Sequence, residues 1–193
     1  MGKLILIKHS QPVLDPDVPS PRWVLSDQGR ARCVWLADAL RTEGTGRLCS
    51  SLEPKALETA ALVATHLGIP VEPHAGLEEN DRTGQGFAPE DELRRSIKAF
   101  FERPADIVMG RESAGVVFAR FSGAVGRILA RDAGRDVAVV THGTVLTLFV
   151  SRHNAIDPFA FWGGLSTPSY VVLDGATFAL AGQPVLYPKS RPS

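Results

Sequence analysis

The sequence has no excess of charge of either sign, because its 193 residues include 21 Lys and Arg against 21 Asp and Glu. Without a net charge the chain has no overall field to attract nucleic acid or an anionic membrane, so we expect neither as a partner. It also lacks a long apolar run, and residues 4–7 are far too few for a signal peptide or a membrane span. These absences predict a soluble cytoplasmic protein in which any anion site is local.

Cysteine is scarce as well. The two cysteines, Cys33 and Cys49, have neither the spacing of a metal site nor that of a redox motif, so we interpret both as small buried hydrophobic residues. No two histidines stand at a short metal-ligand spacing such as His-x-x-x-His. We therefore expect neither a metal nor another cofactor.

Length and composition indicate one globular domain. A chain of 193 residues can bury a large core without disulfides, and its 44% of hydrophobic residues shows no sign of disorder. We assign residues 1–187 to a single domain and residues 188–193 to a polar C-terminal tail. The sequence leaves the oligomeric state unknown.

The hydrophobic pattern alternates between strands and helices, with loops at residues 11–22, 78–90 and 103–112. Strands are predicted at residues 4–7, 47–50, 69–72 and 136–141, and at residues 170–173 and 178–180 as a closing hairpin. Helices are predicted from the N-cap Ser26 to Gly44 and at residues 54–67, 89–102, 113–131 and 145–150. This alternation predicts a single-domain α/β fold, a three-layer α/β/α sandwich with a mainly parallel sheet.

Two histidines follow the two most apolar strands of the prediction. His9 comes after residues 4–8 and His142 after residues 136–141. Ligands of open α/β sheets collect at the carboxyl ends of the strands, so both imidazoles would enter one crevice if these strands are neighbours. Lys8 adds positive charge beside His9, and Lys55 lies just beyond the predicted strand end at residues 49–51.

This group of residues predicts phosphoryl transfer. An imidazole can attack phosphorus and carry the phosphoryl group as a covalent intermediate. A second histidine can donate a hydrogen bond to the phosphoryl oxygens, where charge accumulates during transfer. Gly143 and Thr144 open the next predicted helix, where free N–H groups favour a bound anion.

Several blocks of the sequence resemble the histidine phosphatase superfamily, which includes cofactor-dependent phosphoglycerate mutases. Residues 6–10, Leu-Ile-Lys-His-Ser, resemble its Arg-His-Gly signature, and residues 50–60 resemble its Ser-Ser-Pro-Leu-x-Arg-Ala-x-x-Thr-Ala block. Residues 77–79 match its Leu-x-Glu motif and residues 141–143 its second histidine motif. The blocks occur in family order over about residues 4–150, and the resemblance implies a phosphoglycerate mutase-like fold.

The resemblance implies a role for each matching residue. His9 would be the phosphorylated nucleophile, Glu79 the general acid and His142 a contact of the transferring phosphoryl group. Lys8 and Lys55 stand where the family has phosphate-binding arginines, which keeps the charge but loses the bidentate geometry of a guanidinium. The implied activity is hydrolysis of small phosphorylated metabolites by a metal-independent phosphomonoesterase.

Some assignments stay open at this stage. Glu78 competes with Glu79 as the acid, although the Leu-x-Glu spacing favours Glu79. Ser51 either donates to phosphate or caps the second helix, and Arg82 is expected to be an exposed surface residue. The remaining residues of interest are expected to be structural or to pack in the core or a lid: His66, His74, His153, Trp23, Phe159, Phe161 and Trp162.

Three other functions also remain open. A phosphomutase would need a second phosphate-binding patch, for which the sequence shows little sign. A phospholigand-binding homologue without turnover is suggested by the two lysine replacements. A metal phosphoesterase, using His9, His142, Glu79 and Asp81, ranks last because no short ligand spacing is present.

Overall fold

The computed structural model of the protein describes residues 2–131 and 134–188. Of the polar tail assigned to residues 188–193, only residue 188 lies within the described residues. The strands are β1 (Lys3–Lys8), β2 (Leu48–Ser50), β3 (Val71–Pro73), β4 (Val137–Thr141), β5 (Ser169–Asp174) and β6 (Val185–Leu186). The helices are α1 (Asp27–Glu43), α2 (Pro54–Leu67), α3 (Glu90–Glu102), α4 (Ala114–Arg131), α5 (Gly143–His153) and α6 (Pro158–Gly164).

The six strands form one sheet in the order β3-β2-β4-β1-β5-β6. The first four of these pair in parallel, and β5 and β6 add an antiparallel edge. The order confirms that the two histidine-bearing strands, β1 and β4, are direct neighbours. Their register pairs Lys8 with Thr141, so both strands end at the same level.

Alternating side chains of the strands bury both faces of the sheet. Ile5 and Ile7 of β1 pack in a core with apolar residues of α1 and α2. Leu4 and Leu6 point to the opposite face, into a second core with residues of α3, α4 and α5. The predicted single-domain α/β fold with a mostly parallel sheet and flanking helices is therefore confirmed.

The signals at the ends of the first helix act as expected. The Ser26 side chain accepts a hydrogen bond from the Gly29 N–H, and Gly44 ends α1 in the left-handed conformation at φ 75°.

None of the described helices is both long enough and apolar enough to cross a lipid bilayer.

Two local predictions were wrong, and one helix was missed. The hairpin partner at residues 178–180 contributes only one isolated bridge, Leu173 to Leu180, because Phe178 has a φ of 59° that cannot extend a strand. Strand β6 pairs with the other end of β5, at Ser169 and Tyr170. The loop at residues 11–22 contains a short 3₁₀ helix, Ser20–Arg22. Helix α6 was missed, although Asp157 accepts from the Ala160 N–H and a proline follows, which is a typical helix start.

Candidate active site

His9 and His142 lie side by side at the carboxyl ends of β1 and β4. The His9 N–H donates to the Thr141 carbonyl at 3.0 Å, which extends the parallel pairing by one residue. The two ring centroids are 5.1 Å apart, with planes inclined at 63°. Both side chains are buried, and the sheet brings together the two imidazoles that the sequence placed at separate strand ends.

The hydrogen bond of His9 fixes its tautomer. Its Nδ1 lies 2.7 Å from the Ser10 carbonyl oxygen, and because a carbonyl can only accept, Nδ1 is the donor. Burial, helped by the charge of Lys55, lowers the pKa of His9 to about 3. The ring is therefore neutral near pH 7, with its lone pair on Nε2.

His142 is held through Nε2, whereas His9 is held through Nδ1. Its Nε2 lies 2.8 Å from Ser51 Oγ and 3.5 Å from Glu53 Oε1. Its Nδ1 is buried and has no hydrogen-bond partner among the described residues. Burial, followed by the charge of Lys55, lowers the pKa of His142 well below its usual value. An unpartnered buried nitrogen is costly, so His142 Nδ1 requires a partner from outside the protein, either water or a ligand.

Lys55 and Glu53 form a buried ion pair next to the histidines. The Lys55 ammonium donates to the Glu53 carboxylate and, at 2.8 Å, to the Ser20 carbonyl. The other Glu53 oxygen accepts from the Glu79 N–H at 2.8 Å. Burial raises the pKa of Glu53, while Lys55 opposes this effect. Sequence reasoning missed Glu53, although an acid two residues before a candidate phosphate-binding lysine was a signal that could have revealed it.

Ser51 contacts His142 and also accepts from the Glu53 N–H at 3.3 Å. Glu53 itself is the N-cap residue of α2, so Ser51 does not cap that helix directly. The structure therefore adds a possibility outside the two that the sequence suggested, namely orientation of the His142 ring.

Lys8 lies on the other side of the crevice and passes over Gly143. Its Nζ donates to the Leu165 carbonyl at 3.2 Å, and a Cβ at Gly143 would lie only 3.1 Å from Lys8 Cε. A side chain at position 143 would therefore require the Lys8 side chain to shift by a few tenths of an ångström. Burial lowers the pKa of Lys8 to about 8, against an opposing effect of the Glu79 charge.

The Glu79 carboxylate lies at the N-terminus of α5. One carboxylate oxygen accepts from the Thr144 N–H and the other from the Val145 N–H, each at 3.0 Å. Our expectation that the N–H of Thr144 would be free for an anionic ligand was therefore wrong, because a carboxylate of the protein already takes it. Glu78 points elsewhere, accepting from the Gly76 N–H at 2.7 Å.

Arg82 is not the exposed surface residue that we expected, because only 18% of its side chain is accessible. Its guanidinium donates to Thr144 Oγ1 and to Asn80 Oδ1, each at 3.1 Å, and lies 4.0 Å from Glu79 Oε2. It therefore adds a third cation near the histidines.

Arg120 of α4 braces the segment that carries Glu79. Its guanidinium donates to the carbonyl oxygens of Gly76, Glu78 and Glu79 at 3.2, 3.0 and 3.1 Å. The Glu112 carboxylate holds the same guanidinium at 2.9 Å. Nothing in the sequence indicated this contact, because it joins a helix to a loop more than forty residues earlier in the chain.

Within the described ranges, no group of three or more His, Cys, Asp or Glu side chains is arranged to hold a metal ion. The remaining aromatic residues named above divide into two sets. Phe159, Phe161 and Trp162 pack against the core from α6, whereas Trp23 lines a cavity near Lys55.

Comparisons with known proteins agree with this architecture. A sequence profile of the histidine phosphatase superfamily (branch 1) matches residues 8–176. The protein YhfR of Bacillus stearothermophilus is 23% identical, with a TM-score of 0.74 over 94% of this chain and 96% of that one. A mycobacterial glucosyl-3-phosphoglycerate phosphatase is 22% identical, with a TM-score of 0.72 over 96% and 98% of the two chains.

A third similar structure is a histidine-to-alanine variant of the phosphoserine phosphatase of Entamoeba histolytica, in complex with phosphoserine. It is 18% identical, with a TM-score of 0.73 over 96% of this chain and 95% of that one. At these identities the likeness shows the fold. No curated protein matches the sequence significantly.

Proposed function

The chain belongs to the histidine phosphatase superfamily, and from this premise we propose that it hydrolyses small phosphate monoesters through a phosphohistidine on His9. Membership of the superfamily supports a phosphomonoester hydrolase. Two proteins of similar fold are phosphatases of phosphorylated small molecules, a glucosyl-phosphoglycerate and phosphoserine, which agrees with a substrate of this class.

The observation that carries the proposal is the hydrogen bond from His9 Nδ1 to the Ser10 carbonyl, 2.7 Å long. It directs the lone pair of the neutral ring to Nε2. Nucleophilic attack on phosphorus requires such a lone pair on an unprotonated nitrogen. The neighbouring His142 ring and the two lysines supply the donors and positive charge that a phosphoryl group needs.

In the first step, His9 Nε2 attacks phosphorus and the bond from phosphorus to the ester oxygen breaks. The departing oxygen takes a proton from Glu79, which acts as the general acid. The products are an alcohol and phosphohistidine. This step uses Glu79 rather than Glu78 because the Glu79 carboxylate reaches the start of α5, next to His142.

In the second step, water attacks the phosphohistidine and the bond from phosphorus to Nε2 breaks. The ionised Glu79 takes a proton from this water, so the residue returns to its protonated state and inorganic phosphate is released. The net reaction consumes one water and needs no metal or redox group.

We propose that His142 stabilises the phosphoryl group through Nδ1. If Ser51 donates its hydroxyl proton to Nε2, the ring proton resides on Nδ1, the buried nitrogen without a partner. Lys8, Lys55 and the N–H of Gly143 would complete the phosphate contacts. The lysines would act as point charges, because an ammonium cannot form the paired hydrogen bonds of an arginine.

The test is turnover of p-nitrophenyl phosphate by the native protein and by His9→Ala. We expect His9→Ala to lose the activity, and the exposed His66→Ala, as a matched control, to keep it. Quenching with alkaline detergent during turnover should trap phosphate on His9 as an acid-labile, base-stable adduct. Equal rates for native protein and His9→Ala would reject the proposal.

The buried ion pair supports a second candidate, a phospholigand-binding protein without turnover. Lys55 is already held by Glu53 and by the Ser20 carbonyl, so its charge is partly neutralised before a ligand arrives. This candidate predicts tight binding of phosphate esters with no release of phosphate. Turnover of any ester in a panel of phosphorylated metabolites, lost in His9→Ala, would eliminate it.

A further inference from the structure

We propose that the cavity between residues 16–23 and residues 82–93 binds an uncharged aromatic or aliphatic leaving group of the substrate. The inference rests on the proposed phosphatase function and specifies its substrate class. It predicts a preference for such esters over those whose leaving group carries a carboxylate.

The cavity has the size of a small ring. Its volume is about 190 Å³, comparable with the cavities of about 150 Å³ that bind benzene in proteins. Most of its lining is apolar and comes from two loops and the first turn of α3. The apolar lining residues are Pro16, Val18, Pro19, Trp23, Phe87, Ala88 and Leu93.

Two lining residues connect the cavity to the candidate phosphate pocket. The carbonyl of Ser20 accepts from the Lys55 ammonium at 2.8 Å. Arg82 donates to Thr144 Oγ1 at 3.1 Å, in the first turn of the helix that follows His142. Single residues therefore connect the cavity to Lys55 and to the start of α5, and we place the rest of the ester in it.

The aromatic residues of the cavity, Trp23 and Phe87, offer a ligand apolar ring surface and no free hydrogen-bond donor. Trp23 Nε1 already donates to the carbonyls of Asp15 and Val18, at 3.1 and 2.9 Å, so it is not available to a ligand. Phe87 is 54% exposed, which leaves much of its ring for a ligand to cover. Aromatic rings in this state gain from burial against another apolar group.

The depression on the other side of Glu79 is unsuited to an anionic ester. Its volume is about 350 Å³, and five carboxylates line it with Arg120 as their cation: Glu53, Glu78, Glu79, Asp81 and Glu112. These carboxylates would repel an anionic leaving group, and Pro21 is the single apolar residue in this lining to receive an uncharged one. The leaving group is therefore directed to the apolar cavity.

Charge within the apolar cavity argues against a carboxylated leaving group. Among its lining residues, Asp17 is the single carboxylate and Arg82 the single cation. Arg82 is already engaged by Asn80 and Thr144 and lies close to Glu79. A substrate carboxylate would find no free cation and would face Asp17.

The experiment compares kcat/KM for 1-naphthyl phosphate, methyl phosphate and phosphoserine. We expect 1-naphthyl phosphate to be preferred. Phe87→Ala should lower kcat/KM for 1-naphthyl phosphate by about three- to tenfold, mainly through KM, and leave methyl phosphate unchanged. The matched control is Ile107→Ala, because Ile107 is an exposed apolar side chain, 66% accessible, that does not line the cavity.

The outcomes separate this inference from the proposed function. If His9→Ala abolishes turnover of all three esters but Phe87→Ala affects them equally, the cavity assignment is overturned and the phosphatase stands. If no ester is turned over, calorimetry still tests the cavity assignment, because it measures the affinities of the native protein for 1-naphthyl phosphate and for inorganic phosphate. Tighter binding of 1-naphthyl phosphate than of inorganic phosphate, lost in Phe87→Ala, would support the cavity, and equal affinities would refute it.

Discussion

Ser51 and His142 are separated by 91 residues in the chain, yet Ser51 Oγ lies 2.8 Å from His142 Nε2. The contact crosses from β2 to its sheet neighbour β4, and it occupies one nitrogen of the ring while the other remains without a partner among the described residues. The contact with Ser51 thus leaves Nδ1 as the nitrogen of His142 that is open to a ligand.

Ser51→Ala should lower kcat, because the His142 ring would lose the contact that orients it. We expect a loss of about 10² or less, the cost of a small misplacement in a reacting group, with little change in KM. Ser50→Ala is the matched control, since Ser50 is buried beside it but donates to the Ser51 carbonyl. Ser51→Thr, which keeps a hydroxyl, should recover activity. Equal effects of the two alanine variants would contradict a specific role.

The lowered pKa of Lys8, about 8, predicts a loss of activity at high pH. Lys8 is charged below this pKa, so its attraction for a phosphate dianion disappears as the pH rises through about 8. The kcat/KM of the native protein should fall above that pH. In Lys8→Arg the fall should move to higher pH, because a guanidinium stays charged. The measurement is the pH dependence of kcat/KM, with Lys3→Arg on the same strand as the control. An unchanged pH profile in Lys8→Arg would show that Lys8 does not cause the loss of activity at high pH.

Glu53→Gln should strengthen the binding of phosphate and of vanadate. The substitution removes the negative charge that neutralises Lys55, while an amide oxygen can still accept from the Glu79 N–H. Because a buried lysine loses its partner, the free energy of unfolding should fall, by up to about 3 kcal/mol. Added phosphate should restore part of that loss. Thermal unfolding with and without phosphate measures both effects, and weaker anion binding in Glu53→Gln would contradict the interpretation.

Arg120→Lys should reduce kcat by displacing Glu79. A lysine cannot donate to three carbonyl oxygens and a carboxylate from one planar group, so the segment from Gly76 to Glu79 would loosen. We expect a decrease of about 10-fold to 10²-fold in kcat with a smaller change in KM. Arg131→Lys, at the exposed end of the same helix, serves as the control. A change confined to thermal stability would show that Arg120 is merely structural.

Gly143→Ala tests the space over which Lys8 passes. The new Cβ would lie 3.1 Å from Lys8 Cε, so the lysine must move and KM should rise. Gly126→Ala is a helical control with no neighbouring atom within 4 Å, and it should leave activity unchanged and stabilise the protein by about 0.4–1 kcal/mol. Normal kinetics in Gly143→Ala would show that the Lys8 position is unimportant.

Much of the fold could be predicted because its causes are local. The apolar run of β1, the N-cap Ser26 and the left-handed glycine after α1 are read within a few residues. The errors arose where one local sequence pattern is compatible with two different structures. Residues 178–180 have strand-like composition, but the left-handed Phe178 ends the pairing. Residues 158–164 have few polar residues to show a helical period, and α6 was missed.

The site was predictable to the extent that it follows from strand ends. His9, His142 and Lys8 take their places from the pairing of β1 with β4, which the alternation of strands and helices made reasonable. Arg82 and Arg120 were not predictable, because their importance lies in partners up to 62 residues away. For Glu53 the one local signal was its place two residues before Lys55. No periodicity of the sequence encodes such partners.

The sequence by itself determined the alternation of strands and helices from β1 to α5, the positions of the histidines at strand ends and the family. These depend on hydrophobic periodicity and on short motifs, which act over a few residues. Only the tertiary structure decided that the Glu79 carboxylate already lies at the start of α5, that Glu53 partly neutralises Lys55 and that Ser20 and Arg82 line an apolar cavity. These are properties of side chains from distant segments that meet in space, and their energies depend on distance and burial, which exist only after the chain has folded.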